Sequence, residues 1–378
     1  MLEASELRSL AGTHAKPFVV SFYLDVDGRR YPRPSDYAPH VEQLFRTARF
    51  ELAGDGLAEK ALEADLAQIT AWLGTGIDRS RTRGLVAFSA ATEGIFETRA
   101  LAVPVRDQLV VGPVPDIAQL VLLLASAPPI LLVALDHERS RLLRLAAGEF
   151  EELDAPIDEI ARQVDTDVEL GGWGHRHEEL VRQHTRRVVR AVVGELSQRR
   201  SDHVVLSGAH DLVAQLEAHL PASLSGLVVG RLQLPVTSRA DELVRAAHEV
   251  VEEAEASRRR LLVAELVDRA DHDAHAVTGL AATLDRLNQG SVETLLVEDG
   301  YSDAGTRCVE CHALAERQGN CPRCGGQLLE VADVVDAAVT EALLHHAALE
   351  VLPNGMSARF GHIGALERAA PPPLTEEE

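Results

Sequence analysis

The sequence predicts a mixed α/β (α+β) protein of three domains, and three observations predict it. Short β-branched and apolar runs alternate with helix-length segments along most of the 378 residues. A long helical pattern, Asp241 to Ala270, separates the later strands into two groups. All four cysteines fall between residues 308 and 324, as a compact insert between a strand and a helix. The expected domains are an N-terminal α/β domain (1–127), a middle domain (128–250) and a C-terminal domain (251–368) with the cysteine insert at about 305–328, followed by a disordered tail (369–378). A hydrophobic fraction of 46% and a charged fraction of 25% are ordinary for a globular chain, and the length suffices for several cores.

Taken in order, "FVVSFYLDV" (18–26) reads as a strand because β-branched and aromatic residues dominate it. Pro32, Pro34 and Pro39 mark a loop, and Val41 to Leu73 reads as one or two helices. "GLVAFSA" (84–90) and "GIFETRALAV" (94–103) are further strands, and "SAPP" (126–129) closes the first domain. "ILLVALD" (130–136) and "RLLRLAAGEF" (141–150), with a short polar turn between them, form a hairpin pattern. An acidic stretch, Glu149 to Glu169, leads into "GGWGHRHEEL" (171–180), read as a glycine loop that opens a helix. "HVVLSG" (203–208) and "GLVVGRLQL" (226–234) are strands separated by a helix. Ser238, with Asp241 three residues on, matches a capping box for the long helix. The last domain runs helix, strand "VETLLVEDG" (292–300), cysteine insert, helix 331–347, then a strand and "RFGHIGALER" (359–368).

A net charge of −22 argues against general nucleic-acid binding through an overall basic surface, but it leaves room for a local patch. Residues 171–200 are such a segment, with seven arginines and three glutamates. Leu180, Val181, Val188, Val189, Val192 and Leu196 recur at the spacing of one buried helix face, while Arg182, Arg186 and Arg190 line another. One reading places the Gly171–His177 tip in an RNA cavity, with Trp173, His175 and His177 stacked on unpaired bases, Arg176 beside them and the arginine face on phosphates. The plainer alternative is a solvated helix face behind a glycine turn. Only Lys16 and Lys60 are lysines, a bias that suits phosphate binding and GC-rich coding equally.

Cys308, Cys311, Cys321 and Cys324 are spaced as CxxC, nine residues, CxxC. Each pair sets two thiolates on one tight turn, and two such turns close a tetrahedron around Zn²⁺. Four sulfur ligands leave no open coordination position, so the metal is expected to be structural. The alternative is a pair of redox disulfides. The N-terminus lacks the basic-then-apolar order of a signal peptide, and the most apolar span, Ile117 to Leu135, is broken by Pro128-Pro129. A cytoplasmic protein without a membrane segment is expected.

The glycine pair before a basic helix, the long connecting helix, "VETLLVEDG", the cysteine insert and "RFGHIGALER" together resemble the archaeo-eukaryotic peptide chain release factor and Pelota superfamily, and its bacterial branch of Balon-type ribosome hibernation factors. The resemblance is best over residues 128–368. It implies a release-factor-like fold whose C-terminal domain is a ribosomal-protein-like αβα layer with a zinc-ribbon-like insert. It also implies partners: the ribosomal A site and its rRNA, and elongation factor Tu or another translational GTPase. In release factors a Gly-Gly-Gln loop reaches the peptidyl transferase centre. Gly171 and Gly172 match that pattern, and Trp173 stands where the glutamine would be. No catalytic residue is therefore assigned, and a non-catalytic factor occupying idle ribosomes is expected. The alternatives are a rescue factor that hydrolyses peptidyl-tRNA with His175 or His177 positioning water, and a zinc-containing protein adaptor.

Three other clusters stand apart. "DHDAH" (271–275) reads as a helix end and, less readily, as metal ligands. His345-His346 reads as a surface helix site. Asp25 and Asp27 share one side of a strand with no third partner evident. No P-loop, dinucleotide fingerprint or Ser-His-Asp order is visible.

Overall fold

The computed structural model describes residues 4–78, 82–137, 139–146, 148–153, 173–198, 201–272, 275–317, 319–331 and 333–368. The tail expected at 369–378 lies outside them. The chain divides into two compact units, one made of residues 1–126 with 260–378 and the other of residues 127–259.

The first unit opens with α1 (Ala4–Ala11) and β1 (Val19–Asp25), followed by the helices α2 (Pro34–Glu51) and α3 (Gly56–Leu73). The strands β2 (Gly84–Ala90), β3 (Ile95–Leu101) and β4 (Gln108–Gly112) complete an antiparallel sheet of order β3-β2-β1-β4, and α4 (Ala118–Ser126) follows. Every residue of β1 is buried, because both faces of the strand are covered. Val20, Phe22 and Leu24 pack under α2 and α3 with Phe45, Leu62, Leu66 and Ile69. Val19 and Tyr23 face the other way, into a core with α1 and α4.

The proline-marked loop is a correction. Pro34 is the first residue of α2, where its missing N–H leaves no bond unmade, and the Asp36 carboxylate accepts the Arg33 amide at 2.7 Å. Pro39 lies inside the same helix. The expected helical region is two helices, broken at Gly54 and capped again by Asp55, whose side chain accepts the Leu57 and Ala58 amides.

In the second unit, β5 (Ile130–Leu135), β6 (Ser140–Ala146) and β7 (Glu149–Leu153) form an antiparallel meander. After α5 (Trp173–Ser197), β8 (His203–Gly208) pairs with β5 in parallel. The short helices α6 (His210–His219) and α7 (Ala222–Ser225) lead to β9 (Val228–Leu232), parallel to β8. The sheet order is β7-β6-β5-β8-β9. α5 and α6 cover one face, with Val188, Val192, Leu212 and Leu216 against Leu131, Val133 and Leu206.

α8 (Ala240–Asp271) covers the other face with Leu243, Ala247 and Val251. Gly230 permits this approach, since a Cβ there would stand 1.9 Å from a methyl carbon of Val250. Ser238 is not the cap that the sequence implied. The Arg239 carbonyl accepts the Glu242 and Leu243 amides, and the Ser238 carbonyl is taken by the Arg141 guanidinium at 2.7 Å.

Back in the first unit, β10 (Ala276–Thr278), α9 (Leu280–Gln289) and β11 (Val292–Glu298) precede the small strands β12 (Gly305–Cys308), β13 (Leu314–Ala315) and β14 (Leu328–Val331). Then come α10 (Val334–Leu344), β15 (Ala348–Leu352) and β16 (Ile363–Glu367). The main sheet here has the order β10-β16-β11-β15, with β11 and β15 parallel. α9 and α10 pack on one face, and Leu266 and Val267 of α8 pack on the other, which gives αβα layering. Leu284, Leu287, Val335 and Val339 share one core with Tyr23 and Phe88 of the N-terminal sheet. His345 and His346 follow the last turn of α10, with His346 in the left-handed region (φ 57°). Among the described residues no helix is long and apolar enough to cross a membrane.

Candidate functional site

The insert between β11 and α10 is a three-stranded ribbon of order β13-β12-β14 that carries the four cysteines. Their sulfurs lie within 4.8 Å of one another, with Cys308–Cys324 at 3.4 Å and Cys311–Cys321 at 3.5 Å. No disulfide joins them. Zinc–sulfur bonds of about 2.3 Å in a tetrahedron set sulfurs about 3.8 Å apart, so this spacing fits a closed S₄ shell.

The two turns have matching backbones. His312 donates its amide to the Cys308 carbonyl, and Gly325 does the same to Cys321. Cys308 donates to the Ala313 carbonyl and Cys321 to that of Gly326. The residue after each second cysteine is left-handed, His312 at φ 59° and Gly325 at φ 76°. Glycine takes that conformation freely, whereas histidine carries a steric cost.

The turns also aim backbone N–H groups at sulfur. Amides of Cys324 and Arg323 hold the Cys321 thiol down at about 6, and those of Cys311 and Glu310 lower Cys308. A Gly326 amide pulls Cys324 down, but the crowding thiols of Cys311 and Cys308 outweigh it and push Cys324 up to about 12. A divalent soft cation relieves that crowding by binding all four as thiolates.

The ribbon is fastened to the αβα layer at several points. Asn288 of α9 behaves like an extra strand residue: its side chain donates to the Leu314 carbonyl and accepts the Leu314 amide, each at 2.8 Å. Arg323 donates to the Asn288 carbonyl at 3.0 Å, and Arg307 pairs with Glu341 of α10.

The basic helix is α5. Val181, Val188, Val192 and Leu196 are buried, as the spacing predicts, and Val189 is half-buried. The stripe also takes His184 and Thr185, each 2% exposed, which the apolar pattern does not reveal. Burial pushes the His184 imidazole down, and its Nε2 has no hydrogen-bond partner among the described residues. Glu195, near the end of α5, accepts the buried Arg144 guanidinium of β6 at 2.6 Å. Arg182, Arg186 and Arg190 are all exposed and recur once per turn along one face.

Gly171 and Gly172 lie outside the described residues, as do the side chains of Trp173, His175, Arg176, His177 and Leu180. The backbone from Trp173 to His177 is already helical, which corrects the expected loop. Histidine, arginine and glutamate all tolerate helix, so Gly174 alone does not delay the start. The "DHDAH" segment ends α8, and among the described residues only the cysteine tetrad groups metal-binding side chains.

Residues 115–256, which include the glycine pair, α5 and the parallel strands, match the family described as bacterial archaeo-eukaryotic release factor family 10. Over this stretch, well under half of the chain, the protein is similar to that release-factor family. Solved structures with similar chain order include the archaeal translation termination factor aRF1, 15% identical over 97% of this chain and 99% of that one, with a TM-score of 0.27. Ribosome-bound archaeal Pelota is 16% identical over 76% and 77%, with a TM-score of 0.44. Dom34 of S. cerevisiae is 9% identical over 77% and 83%, with a TM-score of 0.42. At these identities and scores the likeness does not extend to function. No curated protein matches the chain. In this chain the residue after Gly171-Gly172 is Trp173.

Proposed function

We propose that this release-factor-like protein binds the ribosomal A site of idle ribosomes and does not hydrolyse peptidyl-tRNA. The observation that carries the proposal is Trp173 directly after Gly171-Gly172, within the segment that matches the release-factor family. An indole N–H only donates, and it offers no carbonyl oxygen to hold an attacking water. Behind it, the exposed Arg182, Arg186 and Arg190 supply fixed cations for rRNA phosphates in a chain that is otherwise strongly acidic. The cysteine ribbon holds structural Zn²⁺ and takes no part in chemistry, and the αβα layer meets a translational GTPase of the elongation factor Tu kind. The site of action is the cytoplasm.

Two measurements test this. Purified protein is expected to co-sediment with 70S ribosomes from stationary cells, and its recovery only in the ribosome-free fraction overturns binding. Stalled complexes carrying peptidyl-tRNA are expected to release no peptide. Release at a rate above that of buffer replaces the proposal with a rescue hydrolase.

A further inference from the structure

We propose that the cysteine tetrad is also an oxidant-reactive site, at which a hydroperoxide converts Cys324 with Cys308, and then Cys311 with Cys321, into two disulfides that hold the ribbon closed in place of the ion. The inference rests on the zinc reading above. It adds a chemistry at sulfur that is separate from anything the protein does on the ribosome.

The two sulfur pairs in contact, Cys308–Cys324 and Cys311–Cys321, each join one turn to the other. Each also sets a buried sulfur against a more open one, since Cys308 and Cys321 are buried, Cys311 is half-buried and Cys324 is exposed. Cys324 is further uncovered on the flank of Gly326, where a Cβ would stand 3.3 Å from its sulfur. A sulfur that ligates zinc is a thiolate, the form that attacks an oxidant. A hydroperoxide arriving from solvent therefore meets Cys324 first, and the sulfur placed to resolve the product is Cys308, 3.4 Å away. A disulfide sets its sulfurs at about 2.05 Å, so each pair has only about 1.4 Å to close.

The Cys324 thiolate attacks the hydroperoxide, an S–O bond forms as the O–O bond breaks, and the alkoxide leaves and takes a proton from solvent to become an alcohol. The Cys308 thiolate then attacks the sulfenic acid at Cys324, the S–S bond forms, and hydroxide leaves and is protonated to water. Cys311 and Cys321 repeat both steps with a second hydroperoxide. Two disulfides leave no thiolate to hold the ion. They span 16 and 10 positions and tie together the same two turns that four-sulfur ligation ties. The ribbon order β13-β12-β14 is thereby kept. Arg307 and Arg323, next in sequence to Cys308 and Cys324, keep their contacts with Glu341 and the Asn288 carbonyl.

The test treats the full-length purified protein with cumene hydroperoxide beside a chromogenic zinc chelator, then alkylates, denatures and digests it with trypsin without reduction. Cleavage after Arg307, Arg317 and Arg323 puts Cys308 and Cys311 on one peptide, Cys321 on a second and Cys324 on a third. About two equivalents of hydroperoxide per chain are expected to release the zinc and to join all three peptides, with fragmentation reading Cys308–Cys324 and Cys311–Cys321. Dimedone, which captures sulfenic acid, is expected on Cys324 first. In native digestion the oxidised chain is expected to be cut at Arg317 and Arg323 roughly tenfold more slowly than the reduced, chelated chain. The inference is overturned if zinc stays bound, if the disulfides take any other pairing, if dimedone labels another cysteine first, or if the oxidised chain is cut as fast as the chelated one. Less than one zinc per chain before oxidant is added is instead a failure of the zinc reading, so the two failures are distinct.

Discussion

Asp336 should cost the first unit stability at neutral pH, and replacing it with asparagine should recover that stability. It sits in the first turn of α10, whose cap Asp333 accepts the Val335 and Asp336 amides. Its side chain is 9% exposed, and its nearest cation, Arg106, is 3.7 Å away and half in solvent. Burial, together with the negative charges of Asp333 and Asp116, lifts its carboxyl from an ordinary value near 3.8 to about 7. The folded chain therefore holds this proton more tightly than the unfolded one does. The resulting penalty is nearly absent below pH 4, grows between pH 4 and 7, and is complete above pH 7. At 1.36 kcal/mol for each tenfold change, the ceiling at pH 8 is about 4 kcal/mol, falling to about 1.7 kcal/mol at pH 5. Partial hydration and coupling to Asp116 halve such figures, which leaves about 2 kcal/mol at pH 8. For a unit of this size that is a rise in Tm of about 4–8 °C. Calorimetry of the parent and Asp336→Asn at pH 8 and pH 5, with the exposed Asp285→Asn as control, reads it directly. An equal gain at both pH values, or a loss at pH 8, refutes the reasoning.

Four further outcomes are expected. Metal analysis of the purified protein should give one zinc per chain, and Cys308→Ser with Cys321→Ser should abolish it. Glu195→Ala leaves Arg144 buried with only the exposed Glu151 beside it, and should destabilise the second unit by about 2–4 kcal/mol in denaturant unfolding. His184 is kept neutral by burial, so the charged form is disfavoured on folding. The second unit should lose stability as pH falls below about 6.5, and His184→Leu should flatten that dependence. Arg182→Glu with Arg186→Glu and Arg190→Glu should weaken ribosome co-sedimentation at least tenfold, with melting curves of the variant read alongside to separate binding from folding.

What the sequence made legible follows from burial. β1, β2 and β8 lie within a residue or two of their apolar runs because both faces of each are covered, and β11 is marked by its buried Leu295, Leu296 and Val297. The cysteine spacing is equally plain, since its chemistry is local. β7 was hidden because it is an edge strand: four of the five residues in "EFEEL" are exposed, and glutamates there suit an edge while reading as an acidic linker. β4 was missed for a related reason, since it is half-buried throughout and lies at the edge of the N-terminal sheet. The partners of Asp25 were out of reach, because Asp107 lies 82 positions away. His184 and Thr185 were invisible as core positions because only the packing of α5 on the sheet reveals that polar side chains fill two places in an apolar stripe. At the candidate site, pattern alone identified the tetrad and the arginine face, but not how far the helix extends toward the glycines.

The cysteine ribbon leaves and rejoins the chain at one spot. Gly305 pairs with Val331, and the Val334 amide returns to the Asp303 carbonyl at 2.8 Å. Its two ends are neighbours, so the stretch between them is a cassette inserted into the β11–α10 connection and pinned to α9 and α10 by Asn288, Arg323 and Arg307. Were the zinc proposed for the tetrad removed, the ribbon would lose its order first, while β11 stays paired with β16 and β15. On that proposal, zinc starvation would act on the contacts the ribbon makes before it reached the strands of the main sheet.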